Sequence, residues 1–338
     1  MSVYIQSRRR WVLIKEREPY IDCLRGTAIV FVVLGHLNPG MVLETWIYSF
    51  HMFLFFFLSG YLFKRKQRFG QQAAAAVKSC LTPYFFWSLC AVLFSLAIGE
   101  YDCLTALCRL LYIGGSVSWN SPVWFLVVLF WLKLLGQAAA AHGTLQWALI
   151  PVGLALGYLN VLGNMPFGIS ILPTALVFFL MGMILRDSME RRPKRDNNVW
   201  LIVCMVCILL SGSVLFGLEN SRISVYGVYY GRYFLAIPAG ISGVLGLWLI
   251  HKLAYTLGMR IHGLEYWGRY TLNVMSTHYF ILRSLSGWSQ SGMGGSDLWH
   301  SEGFKKAVLC TAAVFAVEYL AIETLKRLNC SSTYIFIL

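Results

Sequence analysis

Long apolar segments recur along the whole chain, near 21–38, 46–63, 76–98, 122–136, 145–163, 167–185, 199–218, 233–256, 270–285 and 305–326. A segment of this kind can keep its backbone polar groups satisfied in lipid only as a helix or in a closed barrel, and runs this long and apolar predict helices. The expected fold is therefore an all-α polytopic membrane protein, a bundle of about ten transmembrane helices. Composition agrees: 58% of the residues are hydrophobic and 13% are charged. The formal net charge of +13 would point to nucleic acid in a water-soluble chain. Here Lys and Arg fall mainly in short loops between apolar segments, so they report orientation, and no nucleic-acid partner is expected.

With the amino terminus inside, about 22 of the 28 Lys and Arg fall on the cytoplasmic side, the runs KRKQR (64–68) and RDSMERRPKR (186–195) among them, which predicts cytoplasmic termini. Residues 1–20 are expected to be a cytoplasmic basic leader, 21–326 one integral membrane domain and 327–338 a cytoplasmic tail. The first apolar segment follows SRRRWVLIKER without an A-x-A cleavage pattern and is expected to be retained. Segments 122–136 and 270–285 are short for a bilayer and predict tilt, local thinning or a place along a cavity.

The nine cysteines supply little chemistry. Cys204 and Cys207 have metal-motif spacing but lie inside an apolar segment, where packing explains them. Cys103 and Cys108 fall in a loop expected outside, where they can pair if that compartment is oxidising. No metal site is expected. Soluble hydrolase and nucleotide-binding folds are disfavoured, because no GxSxG, Walker A or GxGxxG pattern stands in a strand-to-helix setting.

The polar residues of 20–63 are regularly placed. At about 100° per residue, Arg25 and His36 share one helix face about 16 Å apart. Asp22 shares that face. A cation at one membrane surface and an imidazole deep in the same helix can line one pathway, and ionisable groups near a span are candidates for function. The bland readings are a headgroup anchor for Arg25 and an interfacial hydrogen bond for His36. His51 opens the next segment on the side where His36 ends; it either meets His36 to hold a hydroxyl or share a proton, or belongs to the interfacial belt. Ser59 and Gly60 permit close helix approach. His278 lies inside the ninth segment, five residues after Asn273. For Glu318 and Glu323 a structural pairing or contact with water is the expectation.

R-x10-H across the first helix, the block FHMFLFFFLSGYLF and the basic stop after it resemble the membrane-bound type-3 acyltransferase family, in particular its oligosaccharide or fucose O-acetylase-like branch. LTPYFFWS (81–88), SPVWFLVVLFWL (121–132), PFGISILPTALVFFLMGMILR (166–186) and GRYTLNVMSTHYFIL (268–282) follow in the family's order. The resemblance implies transfer of an acyl group, usually acetyl, from cytoplasmic acyl-coenzyme A to a sugar hydroxyl of a cell-surface glycan or lipid-linked oligosaccharide. Arg25 and His36 match the family's essential pair. Ser59, Gly60 and Tyr61 match its SGY/SGF motif, Pro122, Trp124, Phe125 and Leu126 its PxWFL-like motif, and Asn273 and His278 its late SLxxxxxH-like segment, with Thr271 for serine. In the PFGI stretch Ile169 and Ser170 stand where relatives often carry an acidic or polar residue.

The expected roles follow from this layout. Arg25, Lys64, Arg65 and Lys66 would hold the phosphates of the co-substrate acetyl-coenzyme A. His36, with His278 as a further catalytic candidate, would act as general base or as an acyl relay. His51, Ser59, Tyr61, Trp124 and Asn273 would bind substrate, with Tyr279 a further aromatic surface. No permanently bound cofactor is expected. The expected partners are acyl-coenzyme A, the glycan acceptor and membrane lipid, and the expected location is the bacterial inner membrane. The alternative from another class is a multi-span transporter or flippase of glycan intermediates, for which inverted repeats would be the signature.

Overall fold

The structure is a computed structural model that describes residues 3–7, 10–14, 18–99, 104–105, 108, 122–141, 143–163, 165–191, 198–292 and 303–328. Cys103 and most of the expected tail lie outside the described residues. The chain is not wholly α-helical. Its leader forms an antiparallel hairpin, β1 (Val3–Ser7) and β2 (Arg10–Ile14), with Val3 opposite Ile14 and Ser7 opposite Arg10. The β-branched and aromatic residues Val3, Tyr4, Ile5, Trp11, Val12 and Ile14 favour extended backbone. The basic charge of the leader reports orientation and masks that local preference.

Helices follow: α1 (Pro19–Gly35), α2 (Met41–Tyr61), α3 (Phe69–Ala76), a π-helical turn (Val77–Leu81), α4 (Thr82–Ala97), α5 (Trp124–Ala139) and α6 (Leu145–Leu159). A short 3-10 turn (Ile169–Ile171) leads into α7 (Leu172–Arg191), followed by α8 (Val199–Leu218), α9 (Tyr233–Thr256), α10 (His262–Arg269), α11 (Thr271–Gly292) and α12 (Gly303–Arg327). Each expected apolar segment is helical. Six helices are long and apolar enough to cross a membrane: α2, the continuous run Phe69–Ala97, Ile169–Arg191, α8, α9 and α12. α5 and α6 are shorter apolar helices, and α1 has 17 residues. Among the described residues, six helices thus qualify as membrane spans by length and composition, and the remaining expected segments are helical but shorter or less apolar.

α2 is the central strut, packed against α1, α7, α8 and α9. Its Phe50, Phe53, Phe56 and Phe57 are fully buried. Phe53 stacks on Phe178 of α7 with ring centroids 4.2 Å apart and planes inclined by 3°, a geometry that adds to the dispersion gained by close packing. In lipid, apolar burial drives helix association little, so close backbone approach at small residues matters more. The α2–α7 crossing shows it: a Cβ on Gly60 would collide with the Phe179 carbonyl, and one on Gly182 with the Phe57 carbonyl.

α1 is anchored at its start by α10. The Gly268 backbone lies against the Asp22 carbonyl, and Arg269 sits 3.8 Å from the Asp22 carboxylate. From just before α10, Arg260 donates twice to Glu265 within it, Nε at 2.9 Å and Nη2 at 2.8 Å. This bidentate pairing holds the Glu265 carboxyl below the usual carboxylate range.

Two outcomes follow. Gly60→Val should destabilise the α2–α7 crossing by about 1–3 kcal/mol, the usual cost of overpacking, read as a lowered thermal midpoint of the purified protein. Because its folded pKa is depressed, Glu265 stabilises the fold at neutral pH, and this contribution is lost as pH falls through that pKa, below about 4.3. Glu265→Gln should therefore lower the midpoint at pH 7 and flatten its acid decline, as a pH series of thermal melts would record.

Candidate active site

The site is built on α1, because one helix delivers groups to both of its ends. Pro19 opens the helix with φ already suited to a first turn. Arg25 follows near the start. His36 caps the other end, its backbone N–H donating to the Val32 carbonyl at 3.3 Å. The chain then reverses through Asn38 and Gly40, both at positive φ (48° and 104°), and α2 returns beside α1.

Three histidines gather at this outer end. The His36 ring lies 5.4 Å from that of His278 and 5.5 Å from that of Tyr279. His51 meets Tyr48 edge to face at 4.8 Å, and Tyr48 in turn lies 6.5 Å from His36. His51 Nδ1 is 2.8 Å from the Ile47 carbonyl and His278 Nδ1 is 2.7 Å from the Val274 carbonyl. A carbonyl only accepts, so each Nδ1 carries the proton and each Nε2 of the neutral ring offers a lone pair. The Nε2 of His278 is buried without a hydrogen-bond partner. The His36 side chain is open to a cavity.

That outer cavity has a volume of about 230 Å³ and is lined by His36, Tyr48, His51, Trp124, Arg222 and Tyr226, among others. The Trp124 and Tyr226 rings pack together in its wall, centroids 5.6 Å apart and planes inclined by 45°. The Arg222 guanidinium lies 3.7 Å over the Tyr48 ring and 2.6 Å from the Glu44 carboxylate, so it braces Tyr48 against the histidines.

A second, inner cavity of about 340 Å³ receives Arg25 together with Ser59, Lys64, Lys66, Gln72 and Lys133. Lys133 Nζ donates to Ser79 Oγ at 2.8 Å, and Ser79 stands on the π-helical turn, a local widening often found at functional sites. The Gln72 Oε1 is buried and unpartnered. The basic loop is fastened across this cavity by Gln137, which accepts from the Lys66 backbone N–H at 3.0 Å and donates to its carbonyl at 2.9 Å. The cavity thus combines cations, which can hold phosphate, with a buried oxygen that lacks an N–H donor.

The structure thus brings Arg25, Lys64 and Lys66 together, and His36, His51, His278 and Trp124 together. Arg65 is separated from its neighbours: it lines a different basin of about 660 Å³ with Arg186, Asp187 and Arg191. Between helices, successive side chains of the 63–66 stretch face opposite sides, so Lys64 and Lys66 point one way and Arg65 the other. Tyr61 is buried in a latch, its hydroxyl 2.7 Å from that of Tyr20 and its ring under the Arg186 guanidinium at 5.1 Å, with Arg186 paired to Glu18 at 2.5 Å. It lines neither cavity. Asn273 is buried off both cavity walls with its Oδ1 unpartnered. Ser59 faces the inner cavity, away from the histidines. Glu318 bonds Thr277, and Glu323 pairs with Lys326 at 2.5 Å and Tyr266 at 2.9 Å, both structural.

Lys133, Gln72, Arg222 and Tyr226 were missed in the sequence. Only Lys133 carries a local signal, a lone cation inside the apolar run WFLVVLFWLKLL. The others join the site through tertiary proximity.

Against known proteins, residues 18–322 match a family described as an acyltransferase domain. The nodulation protein NolL of Sinorhizobium fredii (strain NBRC 101917 / NGR234) is 25% identical over 230 residues, a match covering 60% of this chain and 60% of that relative. The chain thus spans less than two thirds of that relative's length. No solved structure matches.

The Gln137 clasp makes one testable statement about the basic loop. Gln137→Ala leaves two backbone groups of Lys66 without partners, at about 1–3 kcal/mol. Tryptic cleavage within KRKQR of the detergent-solubilised protein should accelerate at least several-fold, and an unchanged rate would show that the clasp does not hold the loop.

Proposed function

This chain belongs to the type-3 acyltransferase family, and from that premise we propose that it is a membrane O-acyltransferase, in the first instance an O-acetyltransferase. The donor is acyl-coenzyme A and the acceptor a hydroxyl of a cell-surface glycan or its lipid-linked precursor. The observation that carries this reading is α1 itself, which opens Arg25 to a cavity of cations and His36 to a cavity of histidines and aromatic rings. In the same reading the ten helical segments span a bacterial inner membrane, with both termini and the inner cavity on the cytoplasmic side.

Arg25, Lys64, Lys66 and Lys133 hold the phosphates of the donor, and its acyl end extends along α1 toward His36. His36 takes the proton of the acceptor hydroxyl as the oxygen attacks the thioester carbonyl carbon. The new C–O bond replaces the C–S bond, and coenzyme A departs as the thiol with the proton that His36 took. The His278 ring, 5.4 Å from that of His36 and with its Nε2 unpartnered, is the polar neighbour of the charge that forms on His36. A relay in which His36 attacks first and becomes a transient acyl-histidine uses the same residues. The Trp124–Tyr226 pair receives the acceptor sugar.

The test is mass spectrometry of cell-surface glycans from a deletion strain complemented at matched membrane levels. An acyl-sized mass should return with wild type and not with His36→Ala or Arg25→Ala. Unchanged acylation in every strain, with glycan intermediates accumulating in the deletion, would instead favour a transporter. Lys133→Ala removes a charge-assisted contact and should raise KM for acetyl-coenzyme A about tenfold with a smaller change in kcat, measured on membrane vesicles.

A further inference from the structure

The two cavities share one wall. Phe55, Phe125 and Met275 line both of them, each comes from a different helix, and each is at most 9% exposed. Phe55 meets Phe125 edge to face at 5.7 Å, and Phe125 stacks at 5.2 Å on the fully buried Phe56. The aromatic side of the wall is therefore backed by close packing. Met275, unbranched and with a soft thioether, is its adaptable member.

The sequence places this wall at one level. Along α2, His51, Phe55 and Ser59 follow at four-residue steps on one face; along α5, Phe125, Leu129 and Lys133 do the same; along α11, Thr271, Met275 and His278 share a face. On α1, Val32 stands between Arg25 and His36. The inner residue of each series lines the inner cavity, His51, His278 and His36 gather at the outer end, and apolar side chains lie between. An apolar ring thus separates the cations from the histidines.

Resting on the acyltransferase reading, we propose that Phe55, Phe125 and Met275 form a collar that the acyl end of the donor threads, and that the collar selects which acyl group is transferred. The phosphates stay with the cations, because a charged group crossing the ring would lose its hydration without a partner. The thioester and its acyl chain are neutral and pass. The same ring keeps water of the inner cavity from His36, which directs transfer to the acceptor over hydrolysis. Met275, one helical turn from His278, yields to a small acyl group, and the bulk around it sets the largest chain admitted.

Membrane vesicles containing the full-length chain and the host's own glycan precursors would be fed acetyl- or hexanoyl-coenzyme A and the glycans weighed by mass spectrometry. Met275→Ala should shift the ratio of kcat/KM for hexanoyl over acetyl upward by at least about tenfold, the scale on which apolar pockets discriminate chain length. Met275→Trp should lower kcat for acetyl transfer about tenfold with a smaller change in KM. If either purified variant melts below wild type, Phe55→Leu takes its place, with the same shift toward hexanoyl expected. Unchanged preference and unchanged kcat overturn the collar while leaving the acyltransferase reading intact. Wild-type vesicles that consume neither donor and label no glycan overturn that reading itself.

Discussion

A polar atom inside an apolar helix bundle has no water to fall back on, so it either finds a partner or faces a cavity. Several polar groups here are settled between helices. Thr27 bonds His251 at 2.9 Å, Thr174 bonds Tyr233 at 3.1 Å, Tyr20 bonds Tyr61, and Thr277 bonds Glu318. Against that background the unpartnered ones stand out. His278 Nε2 lies beside His36, and Gln72 Oε1 belongs to a residue on the wall of the cation cavity. An imidazole lone pair left unused in such an interior costs free energy in the resting protein, and a catalytic role gives that cost a reason. Trp131, Trp248 and Ser276 also keep buried unpartnered atoms, so the argument rests on such an atom together with a cavity or a neighbouring histidine.

The membrane architecture was legible because hydropathy acts on segments and not on single residues. The segments expected at 199–218 and 233–256 are the helices Val199–Leu218 and Tyr233–Thr256. The Arg25–His36 relation was legible because helical periodicity fixes the common face of any two residues on one helix. Beyond one helix the sequence falls silent. The short connection between α1 and α2 leaves His51 either beside His36 or in the interfacial belt, and one pocket contains both histidines. Nothing local distinguishes Arg222, which reaches the same cavity from a loop far along the chain. The misplacement of Arg65 has the opposite cause: adjacency suggested common purpose, whereas in a non-helical stretch neighbours diverge. The β-hairpin is obscured by its basic residues, which carry a signal for orientation that outweighs the β-branched residues of its two short strands.

The relation between the two cavities bears on the choice between acyl transfer and transport. A carrier for a glycan intermediate has to let the whole molecule, with its charged or hydrated groups, cross the middle of the bundle. Here that middle is the ring of Phe55, Phe125 and Met275, closed against Phe56 and adjoining an outer cavity of about 230 Å³. Group transfer makes a lesser demand, since the phosphates remain where the cations are and the acceptor approaches from the other end. What must traverse the ring is an uncharged arm, and its desolvation is far less costly than that of a diphosphate. In the proposed acyl transfer, the separation of cations from imidazoles, which would obstruct a transporter, sets the donor's charge apart from the base. The two readings therefore differ in what they ask of one apolar wall, and the close packing of its rings favours transfer.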